Sequence, residues 1–103
     1  MKSDNFFVCI AFLKHRDEIR YTPYGIPILS ARLIHISKKN VSNVTKKLNF
    51  ELELISVGEI AKEFSKVKIG TRCRFFGFIS SKSPQSKNLI FNLTNFEELC
   101  DLE

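Results

Sequence analysis

The chain lacks the features that mark several functional classes. Its three cysteines are odd in number and have no Cys-x-x-Cys spacing. Neither histidine stands at a zinc-ligand spacing from them, which argues against a metal site. No apolar run approaches the ~20 residues that a membrane-spanning helix needs. We therefore expect a cytoplasmic protein with reduced thiols and no cofactor.

Signatures of catalysis are also missing. The sequence has no Ser/His/Asp pattern, no glycine-rich phosphate loop and no carboxylate pair in a perturbing context. Glu51 and Glu53 share one face of a predicted strand, and a solvated face explains them better than a catalytic pair does. His35 is interpreted as a hydrogen-bonded structural residue. The sequence thus predicts a binding protein and not an enzyme.

Positive charge and phenylalanine are what the chain has in excess. The net charge is +5, but residues 97–103 hold four acids and no base, so residues 1–96 carry 16 basic and 7 acidic residues, or +9. A body this basic indicates a polyanionic partner, although solubility alone is an alternative. Ten Phe against two Tyr and no Trp place much of the apolar volume in phenylalanine. The length of 103 residues fits one domain over residues 1–96, followed by a short acidic tail at 97–103.

The most informative stretch is residues 20–37, RYTPYGIPILSARLIHIS. Pro23 and Gly25 predict a tight turn, because proline fixes φ at its first central position and glycine tolerates positive φ. Pro27 lacks a backbone donor and suits the first residue of a strand. The strand that follows alternates, and its predicted buried face consists of Leu29, Ala31 and Leu33.

The same stretch resembles the family of primosomal replication protein N, PriB, whose members are small relatives of bacterial single-stranded-DNA-binding protein (SSB). The matching residues are Arg20, Thr22, Pro23, Gly25, Ile26, Pro27, Leu33, His35 and Ser37. Downstream, the match continues at Gly70 and at Gly77-Phe78-Ile79-Ser80. The resemblance implies an accessory single-stranded-DNA-binding protein of the replication-restart primosome. It also implies a homodimer that bridges the DNA to the PriA helicase and other primosome proteins.

Three strands, one helix and two strands are predicted along the chain. The strands span residues 5–14, 28–36, 48–55, 71–79 and 88–96. Ser56 and Glu59 have the spacing of a capping box, which predicts a helix over 56–65. The polar stretch 38–47 is interpreted as a hairpin loop. This order predicts an all-β OB-fold, a five-stranded Greek-key barrel with one short helix between strands three and four.

An OB barrel binds single strands across its second and third strands, between the loops that follow strands one and four. That plan predicts a basic groove formed by Arg20, Arg32, Lys38, Lys39, Lys46, Lys47, Lys82 and Lys87. Tyr24 and Phe50 are the candidate stacking aromatics, and Phe50 is better interpreted as a core residue. Because stacking groups are few, we expect weak binding led by charge.

Two alternatives stay open at the level of sequence. The chain could be an OB-fold interaction module that docks a helicase, with DNA contact secondary. It could also be an RNA-binding OB domain. Titration of DNA and RNA oligomers, with and without the helicase, distinguishes the three interpretations.

Overall fold

Six strands and one short helix are present in residues 4–100, which are the residues that the computed structural model describes. The elements are β1 (Phe7–Arg16), β2 (Arg20–Tyr21), β3 (Pro27–Val41), β4 (Val44–Val57), α1 (Glu59–Phe64), β5 (Arg72–Ser81) and β6 (Leu89–Glu98). The five predicted strands correspond to β1, β3, β4, β5 and β6. The two-residue β2 is an addition within the predicted connection between the first two. No helix in this part of the chain is long and apolar enough to cross a membrane.

The sheet closes on itself into a barrel. Its strand order is β1-β5-β6-β4-β3-β2, and β1 also pairs with β3, which joins the two sides. All neighbours are antiparallel except β4 and β6, which run parallel. Closure leaves few free edges for unwanted pairing. The predicted OB-fold is therefore confirmed, with α1 between β4 and β5.

Phenylalanine and leucine fill the barrel, and α1 contributes to the same core. Phe64 of the helix lies edge-on to Phe75 at 5.9 Å and to Phe96 at 5.5 Å between ring centroids. Burial of each such ring contributes about 1.5–3 kcal/mol. The inward face predicted for β3 is confirmed, because all three of its residues are buried: Leu29, Ala31 and Leu33.

The turn before β3 forms as its sequence predicts. The amide of Gly25 donates to the carbonyl oxygen of Thr22 at 2.8 Å, and Gly25 has a φ of +83°. The hydroxyl oxygen of Thr22 accepts from the amide of Ile26 at 3.1 Å. Pro27 is the first residue of β3, where its missing donor does no harm.

The prediction of a loop over residues 38–47 is wrong. Strand β3 continues to Val41, β4 begins at Val44, and only Ser42 and Asn43 form the turn, with φ values of 50° and 67°. Two successive positive φ values are typical of the type I′ turn that joins twisted strands. Every side chain of this hairpin is exposed, so no apolar alternation reveals its strands in the sequence. We refer to residues 38–47 as the arm.

The predicted capping box is also wrong. Ser56 lies in β4, opposite Leu29 of β3, and its hydroxyl donates to the carbonyl oxygen of Leu29 at 3.1 Å. The helix begins only at Glu59, with Gly58 as its cap residue and no side-chain cap bond. The Ser-x-x-Glu spacing is present, but pairing with β3 holds Ser56 in an extended conformation.

Strand β6 runs two residues past the end predicted for the fifth strand. Glu97 and Glu98, which the sequence assigned to the acidic tail, lie in β6, and Glu97 Oε1 is 2.7 Å from Nη1 of Arg74. The last part of the predicted tail, residues 101–103, lies outside the described residues.

Candidate nucleic-acid interface

The outward face of β3 and β4 changes its charge along its length. Alternate residues of a strand share a face, and the buried residues of β3 fix which face points outward. Four successive cross-strand pairs follow along the outward face: Arg32 with Glu53, Ile34 with Glu51, Ile36 with Asn49, and Lys38 with Lys47. The face is therefore mixed in charge beside the barrel, uncharged at Ile36 and positive in the arm.

The arm places four lysines as directly opposed pairs. Lys38 lies opposite Lys47 on the outward face, and Lys39 lies opposite Lys46 on the other face. Like charges in directly opposed positions destabilise a sheet. None of the four has an ion-pair partner within residues 4–100. A bound polyanion would remove this repulsion.

The cations nearer the barrel are already paired. Nζ of Lys82 lies 2.9 Å from Oε1 of Glu53, and Nη2 of Arg32 lies 3.7 Å from Oε2 of the same carboxylate. Nε of Arg32 also lies 3.7 Å from Oε1 of Glu51, which forms a further ion pair with Lys14. Two of the predicted binding cations, Arg32 and Lys82, are thus not free.

The cations around Glu51 favour its charged form. The hydrogen bond from Lys14 is the main cause that lowers the pKa of the Glu51 carboxyl; burial opposes it, and the attraction of Lys14 and then of Arg32 lowers the pKa further. The carboxylate is therefore ionised at neutral pH.

A cleft of about 250 Å3 opens between the end of β1 and the loop after β5. Its charged lining consists of Asp17, Arg32, Glu53 and Lys82, with His15 at its side. This is the position, between the loops after the first and fourth long strands, where OB barrels bind single strands.

The two remaining predicted cations lie outside the arm. Arg20 is in β2, opposite Ile28 near the start of β3, whereas the arm is at the other end of that strand. Lys87 is exposed in the loop between β5 and β6. Neither has an ion pair in the described part of the chain. The predicted cations are thus divided among the arm, the cleft, β2 and the loop after β5.

Phe50 is not a core residue, which corrects the preferred interpretation of the sequence. Its side chain is 42% exposed, and one ring face lies against the ring of His35 at a centroid distance of 4.9 Å and an angle of 26°. Nδ1 of His35 donates to the carbonyl oxygen of Ile10 at 2.7 Å, and Nε2 lies 2.8 Å from Oγ of Ser37. These bonds fix the imidazole, which confirms the structural role predicted for His35. Phe50 alternates with the partly buried Leu52 and the buried Leu54, but it lies beyond the end of the core.

Tyr24 is the most exposed aromatic side chain of the described residues, at 92% on the tip of its turn. Two further exposed side chains were missed by the sequence analysis: Tyr21, beside Arg20 in β2, and Ile36, between the arm and the barrel. Alternation from Arg32 would have placed Ile36 outward, although an isoleucine in a strand is usually assigned to the core. No pattern in the sequence marked Tyr21 as an exposed side chain.

The cysteines are free thiols, and burial shifts the pKa of two of them. Burial raises the pKa of the Cys73 thiol to about 11, with a smaller contribution from Glu98, and burial also raises the pKa of Cys9. Cys100 is exposed, and all three thiols are free. Among residues 4–100, no group of three or more His, Cys, Asp or Glu side chains could hold a metal ion.

Several known proteins are similar to this chain in sequence or in structure. A sequence model described as another single-strand binding protein family matches residues 5–95. Replication restart protein PriB of Nitrosomonas europaea is 30% identical over 74 residues, which are 72% of this chain and 68% of that protein. The structure of PriB from Ralstonia solanacearum has a TM-score of 0.81 at 25% identity, covering 94% of this chain and 100% of that chain. Plasmodium falciparum SSB, solved with single-stranded DNA, shares the fold with a TM-score of 0.77 at 16% identity, over 97% of this chain and 98% of that one.

Proposed function

Because the chain belongs to the single-strand binding protein family that includes PriB, we propose that it is an accessory single-stranded-DNA-binding protein of replication restart. The arm is the observation that carries this proposal. Four lysines stand there as opposed pairs with no acid among residues 38–47, on the two strands that an OB barrel uses for nucleic acid. The protein acts without catalysis, in the cytoplasm.

Charge supplies most of the affinity in this account. Each phosphate that meets an arm lysine releases condensed counterions, which is a favourable and sequence-independent contribution. The exposed Ile36 lies directly beside Lys38 on the same face, where a base could lie against it. Tyr24 offers one further ring face for stacking. Such a surface binds any single strand and prefers no particular sequence.

The partner proposed for the DNA-bound protein is the PriA helicase of the primosome. The relative from Nitrosomonas is a replication restart protein, and restart requires that a helicase be loaded at the exposed single strand. A small protein that binds DNA through one arm leaves most of its barrel surface free for such a partner. We therefore assign it a bridging role between DNA and helicase.

We also propose a homodimer. The start of β1 exposes three large apolar side chains in succession: Phe6 at 60%, Phe7 at 50% and Val8 at 49%. Phe6 adds to this surface by stacking on Phe76 with ring centroids 6.5 Å apart. Successive strand residues point to opposite faces, so exposed apolar groups lie on both faces of this segment, and exposed apolar surface marks protein contacts. Light scattering should give about 24 kDa, twice the 11.9 kDa chain, and a mass of one chain at tens of micromolar would contradict the dimer.

Titration of labelled dT and rU oligomers, alone and with the helicase, tests the proposal. We expect binding of dT at low salt and a ternary complex when helicase is added. Tighter binding of rU than of dT would favour the RNA-binding alternative. Absence of DNA binding together with intact helicase binding would favour the interaction module.

A further inference from the structure

The cleft beside the barrel carries as many carboxylates as cations. Arg32 and Lys82 line it together with Asp17 and Glu53, so its net charge is zero with His15 neutral. Glu53 contacts both cations, at 2.9 Å from Lys82 and 3.7 Å from Arg32. A phosphate that entered the cleft would have to displace this carboxylate.

Glu51 extends the same arrangement along β4. It pairs with Lys14 of β1 and, at 3.7 Å, with Arg32 of β3. Three cations that face the expected path of a single strand are therefore paired with these two carboxylates: Lys14 with Glu51, Lys82 with Glu53, and Arg32 with both. The next pairs along the same strands are the uncharged Ile36 with Asn49 and then the arm lysines, which have no such partner.

We propose that Glu51 and Glu53 compete with phosphates for Lys14, Arg32 and Lys82, exclude the strand backbone from the cleft and direct it to the arm. This inference rests on the proposed function, because it concerns where the same single strand binds. The two glutamates are thus specificity-determining residues that limit affinity and set the position of the strand.

A purely structural role for these ion pairs is a poorer explanation. Their members are well exposed: the side chain of Lys82 is 50% exposed, that of Arg32 is 48% and that of Glu51 is 43%. Exposed ion pairs contribute little to folding, since solvent screens them and their formation costs side-chain conformational entropy. Neutral glutamine at either position should leave the barrel folded and the cations free.

The test compares two charge-matched double variants of the full chain. Glu51→Gln with Glu53→Gln removes the two competing carboxylates. Glu59→Gln with Glu63→Gln removes the same charge from exposed positions of α1 and controls for net charge. Fluorescence anisotropy with a labelled dT oligomer gives the affinity across a salt series, and thermal melts by circular dichroism confirm that each variant is folded.

We expect the Glu51/Glu53 variant to bind at least about fivefold more tightly at 0.1 M salt, since the slope of log K against log salt changes by about 0.7 per added phosphate contact. The slope should steepen by the same amount for each cation that gains a phosphate. The Glu59/Glu63 variant should change affinity less than about twofold. Equal affinity of the wild type and both variants, with wild-type binding intact, would overturn the inference and leave the proposed function standing.

A double-mutant cycle gives a second measurement, and its result does not depend on the change in net charge. Lys82→Gln should weaken binding little in the wild type, because Glu53 occupies Lys82, and by about fivefold in the Glu53→Gln background. Equal effects in both backgrounds would show that Glu53 does not compete. Absence of DNA binding by the wild type and by every variant would overturn the inference together with the proposed function.

Discussion

Nζ of Lys82 and Oε1 of Glu53 are 2.9 Å apart. The charge of Lys82, in the loop that lines the cleft, is therefore neutralised by a carboxylate of β4. The sequence predicts Lys82 as a binding residue from its place in the loop after the fourth long strand. Which carboxylate pairs with Lys82 depends on how that loop lies over β4. The same geometry leaves the arm, and not the cleft, as the strongest unpaired positive surface beside the barrel.

The arm lysines should control the salt dependence of binding. Replacing Lys38 and Lys47 with Gln removes two phosphate contacts and should flatten the slope of log K against log salt by about 1.4. All sequences should be weakened alike, because phosphates carry no sequence information. Lys66→Gln with Lys68→Gln, two exposed lysines after α1 without ion pairs in residues 4–100, should leave the slope unchanged. Equal flattening by both double variants would argue against a defined site.

Phe50 and Phe75 should respond differently to truncation. Phe75→Ala removes a fully buried ring and should cost about 3–5 kcal/mol of the free energy of unfolding. Phe50→Ala removes a half-exposed ring that stacks on His35 and should cost about 1–2 kcal/mol. Urea unfolding followed by circular dichroism measures both values. A Phe50 variant as unstable as the Phe75 variant would restore its assignment to the core.

Tyr24 should contribute through its ring face and not through its hydroxyl. Tyr24→Ala should weaken binding of dT by about 1–3 kcal/mol, which is the usual contribution of one stacked base. Its 92% exposure means that stability should not change. Tyr24→Phe keeps the ring and should bind like the wild type, and a loss of affinity in that variant would point to the hydroxyl instead.

Cys73 should make the protein less stable in alkaline solution. Its thiol has a pKa of about 11 in the folded state against 9.0 for an ordinary cysteine. Above pH 9 the unfolded chain loses this proton while the folded chain keeps it, so the free energy of unfolding falls as pH rises toward 11. The decline between pH 9 and 11 should be smaller in Cys73→Ala, measured by urea unfolding at each pH. Parallel pH profiles of the two proteins would contradict this cause.

The sequence predicts the barrel well because its signals are local. Proline and glycine mark the turn at residues 23–25, and strict alternation marks the inward face of β3. Both signals depend only on residues that are close together in the sequence. The short helix was expected in its place from the Ser56/Glu59 spacing, although its start depends on how far β4 stays paired with β3.

The arm and the cleft could not be derived in the same way. Residues 38–47 form strands through backbone pairing alone, and their exposed side chains give no periodic signal. The ion pairs of Glu51 and Glu53 depend on the register of β4 against β3 and on contacts with β1 and a distant loop. Sequence reasoning named the cations as candidates but had no means to find which of them are paired with acids.

The salt dependence of dT binding by the unmodified protein tests the central claim most directly. The account predicts binding at low salt and a slope of log K against log salt of roughly −2 to −3.5, as expected when about three to five phosphates are neutralised on a single strand. Absence of detectable binding at low salt, or an affinity that salt does not change, would contradict a charge-led single-stranded-DNA-binding protein.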